Sequence, residues 1–465
     1  MNNKEITALK ILFVELTDEF TVRQQEFVQT INFNVRYAFR VGNISAPGAH
    51  RKDTSHSILT GALVDKPYIL QKIHYCVHRL EAGPKIHEFV VKNKLWHCPD
   101  VLVANQISSP SLMSGLVAGF ICRNFEITGD LFKITQESFD QSFQELLAFF
   151  KKSDVTLSHY LNLKGLQGDR DLIVLNDRVS ILKADYELAK RFSVYYTAPS
   201  HFSDIAMFEG EYVLKIDLTI PKKEYDFRNG GKASKIEQKE IAKWRTLPLL
   251  GCPGYLKIEK QICQSPDWPI VFYEEMGPYG NESLYPFNLN NPQFADDDVV
   301  FLQKIAGIII DVDYEKLDKK ITYALERLVK AKEAIDLNSR VVELAMALEY
   351  LVNTIPGDVS LQLKLKTIKL IYDNNEDESI YKVLTDFYNL RSKIVHGNTK
   401  MENIPANKLI MDTAEKIIQQ AIVRYIELNK IYPAKKINEA LHTALHITKT
   451  VEDILRESTP NISPV

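Results

Sequence analysis

The spacing of apolar residues changes character along this chain. In the first three hundred residues the clearest patterns have a period of two. Phe33, Val35, Tyr37, Phe39 and Val41 alternate with Asn34, Arg36, Ala38 and Arg40, and Tyr212, Leu214, Ile216, Leu218 and Ile220 repeat the period. Successive side chains of a strand point to opposite faces, so each pattern predicts a strand with one face turned from water. Two further stretches, Phe125 to Ile134 around Gly129-Asp130 and Leu172 to Leu182 around Asn176-Asp177, set turn residues between short β-rich runs and predict hairpins. Helical segments such as Glu137 to Lys151 interrupt the strands. The expectation for residues 1–300 is an α+β region rich in antiparallel sheet, in two parts that divide between residues 150 and 200.

Beyond residue 300 the period becomes 3.6. Leu317, Ile321, Ala324, Leu325 and Leu328 form one stripe; Val341, Leu344, Ala345, Leu348 and Val352 a second; Ile380, Val383, Leu384, Phe387 and Ile394 a third. Pro405 stands where a fourth helix opens, a position at which its missing N–H costs nothing, and Ile410, Ala414, Ile417, Ala421 and Tyr425 make the inner face. Residues 301–457 thus predict an all-α bundle with short connections, followed by a tail, 458–465, whose two prolines predict fraying. The fold class expected is α+β: a β-rich N-terminal region followed by an all-α bundle.

Charge and composition narrow the function classes. A chain of 465 residues with 45% hydrophobic and 25% charged content is long enough for two or three globular domains. Nothing in its net charge of −3 suggests a protein that coats nucleic acid, so an RNA site would have to be a local basic patch. The chain lacks an apolar run of membrane length, and its start lacks the apolar core of a secretion signal. The expectation is a soluble, cytoplasmic protein without membrane contact. Cys76, Cys98, Cys122, Cys252 and Cys263 are odd in number and scattered, the pattern of reduced thiols.

One charged residue breaks the pattern of the third stripe. At about 100° per residue, Arg391 falls about 20° from Ile380, where a leucine is expected. A guanidinium there requires a partner or a polar surface to face. Glu349, at the edge of the second stripe, is the candidate partner, and if the pair is buried its loss is expected to cost about 3–5 kcal/mol. His396 follows five residues later, about 140° further round but only about 7.5 Å along the axis, with Gly397 behind it as a helix cap. A long arginine side chain and this histidine can therefore reach one substrate.

Arg391-Ser392-Lys393-Ile394-Val395-His396-Gly397, preceded by Asp386-Phe387-Tyr388-Asn389-Leu390, resembles the R-x4-6-H signature of HEPN domains, most closely the Apea-like branch with its Leu-Arg-Ser-x-Ile-Val-His-Gly wording. Ala347-Leu348-Glu349-Tyr350-Leu351 is similar to that branch's second helix, and the resemblance covers roughly residues 300 to 430. It implies metal-independent RNA cleavage without a cofactor, as a toxin or anti-phage effector, at a site composed where two protomers meet. His396 would then act as acid and base and Arg391 would stabilise the phosphorane. Ser392 and Glu349 would support them, and Lys393 and Asn398 would contact RNA, transfer RNA among the candidates. The N-terminal region would sense a phage protein or another trigger. Ser392 departs from the Asn, Asp or His that often follows the arginine in active members. The alternative reading is a non-catalytic bundle, with Arg391 paired to a core carboxylate and His396 a capping residue, that binds RNA or a protein partner as a dimer.

Other signals carry less. His74, Cys76 and His78 alternate, with His97-Cys98 close behind; these are zinc-ligand types at a spacing that matches no standard finger, and no metal is assigned. Lys222 to Arg245 is a basic run interleaved with Tyr225, Phe227 and Trp244. It reads first as a solvated loop and helix face; as an RNA surface, Lys232 and Lys235 would be its contacts. Asn229-Gly230-Gly231-Lys232 lacks the first glycine of a phosphate loop and the hydroxyl residue after its lysine.

Overall fold

A computed structural model describes residues 1–27, 79–95, 112–185, 188, 211–226, 235–252, 254–265, 267–268, 271–274, 295–334, 336–352, 359–371, 378–397, 405–446 and 449–458. They fall into two compact units. One comprises Met1–Leu161, Lys183–Glu240 and Lys260–Met276; the other comprises Asn162–Leu182, Ile241–Glu259 and Gly277–Val465. Among the described residues no helix is long and apolar enough to cross a membrane.

The first unit opens with helices, which corrects the expectation of a β-rich N-terminal region. Helix α1 (Asn3–Val22) starts at a capping box in which Asn2 and Glu5 satisfy each other's backbone N–H groups. Its buried face is Leu9, Phe13, Leu16 and Phe20, spaced four, three and four residues apart. The Glu19 carboxylate accepts the N–H groups of Glu81 and Ala82, so α1 supplies the cap of α2 (Ala82–Lys92). Helices α3 (Leu112–Thr128) and α4 (Gln136–Lys151) follow, the second as the sequence predicts. Phe13, Phe120, Phe139 and Phe143 join α1, α3 and α4 at centroid distances of 4.5–6.0 Å.

The hairpin expected at 125–134 is a helix end, a turn and a helix start. Gly129, at φ +72°, donates its N–H to the Phe125 carbonyl and closes α3, and Thr135 with Ser138 then forms a capping box for α4. Turn chemistry alone does not tell a hairpin from a helix stop. Here the residues before the glycine, Leu116 to Cys122, are buried on all sides, which a helix enclosed by neighbours achieves.

Strands occupy the middle of the chain. β1 (Asp154–Lys164), β2 (Leu172–Val174), β3 (Val179–Lys183), β4 (Tyr212–Pro221), β5 (Lys257–Gln264) and β6 (Val271–Glu274) form a sheet in the order β2-β3-β4-β1-β5-β6. The alternation at 212–220 is thus a strand. The hairpin at 172–182 is also present, antiparallel with Ile173 opposite Ile181. Asn176 makes its turn by accepting the N–H groups of Arg178 and Val179 on its side-chain oxygen. The strand pattern at 33–41 lies outside the described residues. Two helices, α5 (Lys222–Asp226) and α6 (Lys235–Gly251), separate β4 from β5.

From residue 295 onward the described residues of the second unit form helices: α7 (Asp296–Ile309), α8 (Lys319–Glu333), α9 (Leu337–Val352), α10 (Val359–Ile371), α11 (Glu378–Val395), α12 (Pro405–Asn429), α13 (Ala434–Thr443) and α14 (Val451–Ser458). Most of the predicted stripe residues are its core, with Ile321, Leu328, Val341, Leu344, Leu348, Leu384 and Phe387 without exposure, while Leu317, Leu325, Val383 and Ile394 are half-buried. Helix α12 packs against α8, α9, α10 and α11. Its Ala414, Ile417, Ala421 and Tyr425 are buried as the sequence predicts. Residue 458 ends a helix, and the rest of the expected tail lies outside the described residues.

Candidate functional site

Helix α11 carries the sequence-predicted residues. Arg391 lies with Glu349 of α9: its Nη2 is 3.5 Å from Glu349 Oε1. The expected partner is therefore the observed one, but the side chains are 33% and 31% exposed, which corrects the idea of a buried pair. Arg391 Nε is buried with no hydrogen-bond partner, so the guanidinium sits half in the bundle and half at its surface. Tyr388, one turn earlier, donates its hydroxyl to the Ala345 carbonyl at 3.5 Å. Burial, and after it the Glu349 charge, raises its pKa well above the ordinary value of 10, so it remains a neutral phenol.

The helix ends where the sequence predicts. His396 donates its N–H to the Ser392 carbonyl and Gly397 donates to that of Ile394, and Gly397 turns the chain at φ +73°. The His396 side chain is exposed beside exposed Ser392, Lys393 and Val395. Arg391 and His396 thus occupy one helix end, and both have an open side. Asn398 and Lys232 lie outside the described residues, as do His74, Cys76, His78, His97 and Cys98. Lys235 is exposed at the start of α6.

The basic run from Lys222 to Arg245 is in part a core segment, which corrects its reading as a solvated face. Lys222 is buried, donates to the carbonyls of Leu95 and Phe150, and lies over the Phe149 and Phe150 rings at 4.9 and 5.3 Å. Trp244 and Lys243 are buried as well, and Lys243 donates to the Ile310 carbonyl.

Two polar clusters escaped the sequence reading. In the second unit Glu415 of α12 receives Lys332 of α8 and Arg340 of α9, all three buried. Lys332 also donates to the Cys252 carbonyl, to which Gln419 donates at 3.1 Å. Burial alone would raise the Glu415 pKa; the two cations outweigh it and hold the carboxyl below its ordinary range. Burial lowers Lys332, the more readily because one carboxylate faces two cations.

In the first unit His159 of β1, Glu237 of α6 and Cys263 of β5 converge, and none of the three has any exposed surface. His159 Nε2 is 3.0 Å from Glu237 Oε1 and 3.6 Å from Cys263 Sγ, and Sγ is 3.9 Å from Glu237 Oε1. The other ring nitrogen, Nδ1, is 3.0 Å from the side-chain amide of Gln261. Burial acts to lower the His159 pKa, but Cys263 and Glu237 outweigh it and push it up to about 9. A sequence signal exists: Val155, Leu157, His159, Leu161 and Leu163 are one strand face, with a histidine where only apolar residues are expected.

Comparison with models of protein families, with curated proteins and with solved structures finds no match to the chain.

Proposed function

We propose that the second unit is a HEPN-type, metal-independent endoribonuclease that acts as a toxin or anti-phage effector. The observation that carries this reading is the end of α11. His396 is open to solvent at a glycine-capped helix end, and Arg391, within one and a half turns, keeps part of its guanidinium at the surface. Cleavage by an RNA 2′-hydroxyl forms a bond from that oxygen to the adjacent phosphorus and breaks the bond to the 5′-oxygen. His396 takes the proton of the attacking hydroxyl, and a protonated histidine returns one to the leaving oxygen. Arg391 offers a fixed cation to the charge that develops on phosphorus. One protomer has a single histidine here, so the proposal includes a two-fold pairing that supplies the second.

The Arg391–Glu349 pair favours the second reading, a non-catalytic bundle that docks RNA or a partner, because a guanidinium engaged by a carboxylate is already neutralised. Incubation with total cellular RNA in the presence of EDTA separates the two. The proposal expects cleavage to 2′,3′-cyclic phosphate ends. His396→Ala and Arg391→Ala should each slow it by about 10²-fold or more while leaving the fold intact. RNA binding without cleavage supports the second reading. Cleavage lost in EDTA with an unchanged circular dichroism spectrum, and restored by added magnesium or zinc, overturns the mechanism.

A further inference from the structure

The first unit holds a set of side chains that neither the RNA chemistry nor the core requires. His159, Glu237 and Cys263 come from two strands and a helix across more than a hundred positions of sequence, and a nitrogen, an oxygen and a sulfur meet in a fully buried place. Apolar side chains surround this point: Cys263 belongs to the same core cluster as Phe149, Val155, Leu157, Ile220 and Trp268. Ionisable groups in such a place need mutual neutralisation or an ion.

The geometry points to a site for a zinc-class divalent cation held by His159 Nε2, Glu237 Oε1 and Cys263 Sγ. Zinc takes imidazole, carboxylate and thiolate ligands at about 2.0–2.3 Å, and tetrahedral angles then set the donors about 3.3–3.8 Å apart. The three donor separations here, 3.0, 3.6 and 3.9 Å, lie within a few tenths of an ångström of that range. A sulfur ligand excludes magnesium and calcium, which take oxygen. The Gln261 amide nitrogen lies 3.0 Å from Nδ1; flipped about its last bond, the carboxamide would present its carbonyl there, hold the proton on Nδ1 and leave Nε2 with its lone pair toward the other two donors. Three protein ligands leave one position of a tetrahedral ion open. The full burial of all three makes this ion a clamp between α6, β1 and β5, separate from the RNA chemistry assigned to α11.

The test uses the full chain, stripped with chelator and dialysed against cobalt(II), with metal content measured in parallel after loading with zinc. The expected result is about one equivalent of either ion and, for cobalt, the near-ultraviolet charge-transfer band of a thiolate ligand. The chain has other cysteines, so Cys263→Ser is the deciding variant: folded by circular dichroism, it should lose the band. Glu237→Gln, nearly the same shape, should bind zinc at least about tenfold more weakly. If Cys263→Ser does not fold, the affinity of Glu237→Gln decides. A wild-type chain that takes up no metal, a thiolate band that persists in folded Cys263→Ser, or an unchanged affinity in Glu237→Gln overturns the proposal and leaves a buried imidazolium–carboxylate pair.

Discussion

A charged residue on an apolar stripe is a signal by which single residues of this chain announce themselves, and burial decides what each is worth. The rule that singles out Arg391 in the sequence applies equally to Lys332, Arg340 and Glu415, which stand among Leu328, Val341, Ala414 and Ile418. Those three are buried, whereas Arg391 and Glu349 remain a third exposed. The periodicity was legible; the depth of each residue was not, because depth depends on which helices cover the stripe. Glu415→Ala leaves two buried cations without their carboxylate and should cost about 3–5 kcal/mol in urea unfolding. Glu349→Ala, at a solvent-screened pair, should cost less than about 1 kcal/mol. The pH dependence follows from the same group. Glu415 has its folded pKa held below the unfolded value, so its stabilisation is present above the ordinary carboxylate range and is lost as pH falls through the folded pKa. Glu415→Gln should be less stable near neutrality and should flatten the acid side of the stability profile. A variant that keeps the wild-type acid slope would assign that slope to other carboxylates.

Elements were legible where local chemistry and period agree. The strand at 212–221 has the alternation, and the hairpin at 172–183 has a turn residue whose side chain makes the turn. At 125–134 the glycine is equally clear, but the apolar run before it has no period to separate strand from helix, and the structure resolves it as a helix. Gly397 does the same service at the end of α11, where its φ of +73° places the histidine before it at the last turn. A Cβ added there would meet nothing within 4 Å, so the cost of a side chain comes from the backbone alone. Gly397→Ala should therefore destabilise by about 1–2 kcal/mol, and Gly397→Asn by less, because Asn tolerates this conformation. If the α11 end is the cleavage site, the alanine variant should also cleave RNA more slowly than its loss of stability explains. Equal melting temperatures for Gly397→Ala and wild type would show that this end of the helix relaxes freely.

At the scale of the whole molecule, periodicity divides a chain only along its length, whereas the units here gather separate stretches. Residues 162–182 and 241–259 belong with the C-terminal helices, and 183–240 with the N-terminal ones. Folding also brings His159, Glu237 and Cys263 to one point. No local pattern contains that meeting, since it depends on strands β1 and β5 becoming neighbours.

On the ribonuclease reading proposed above, assembly is the remaining step from the α11 end to a working site. One protomer offers one histidine and one partly neutralised arginine, too few groups to hold a phosphate, accept a proton and return another. A two-fold contact doubles the set with no new sequence, and a two-fold interface is the commonest way identical chains meet. The exposed side of α11 suits such a contact: Val395 is 52% exposed beside Ser392, Lys393 and His396, an apolar group among polar ones at the helix end. The expected state in solution is a homodimer of about twice the 53.3 kDa chain mass, with residues 380–400 in its interface. Val395→Asp would place two carboxylates near the symmetry axis, and it should shift light scattering toward the monomer and slow RNA cleavage in the same proportion. The paired loss matters, because either change alone has other causes. A monomer that cleaves RNA at the wild-type rate would remove the composite site and leave His396 to serve both proton transfers within one chain.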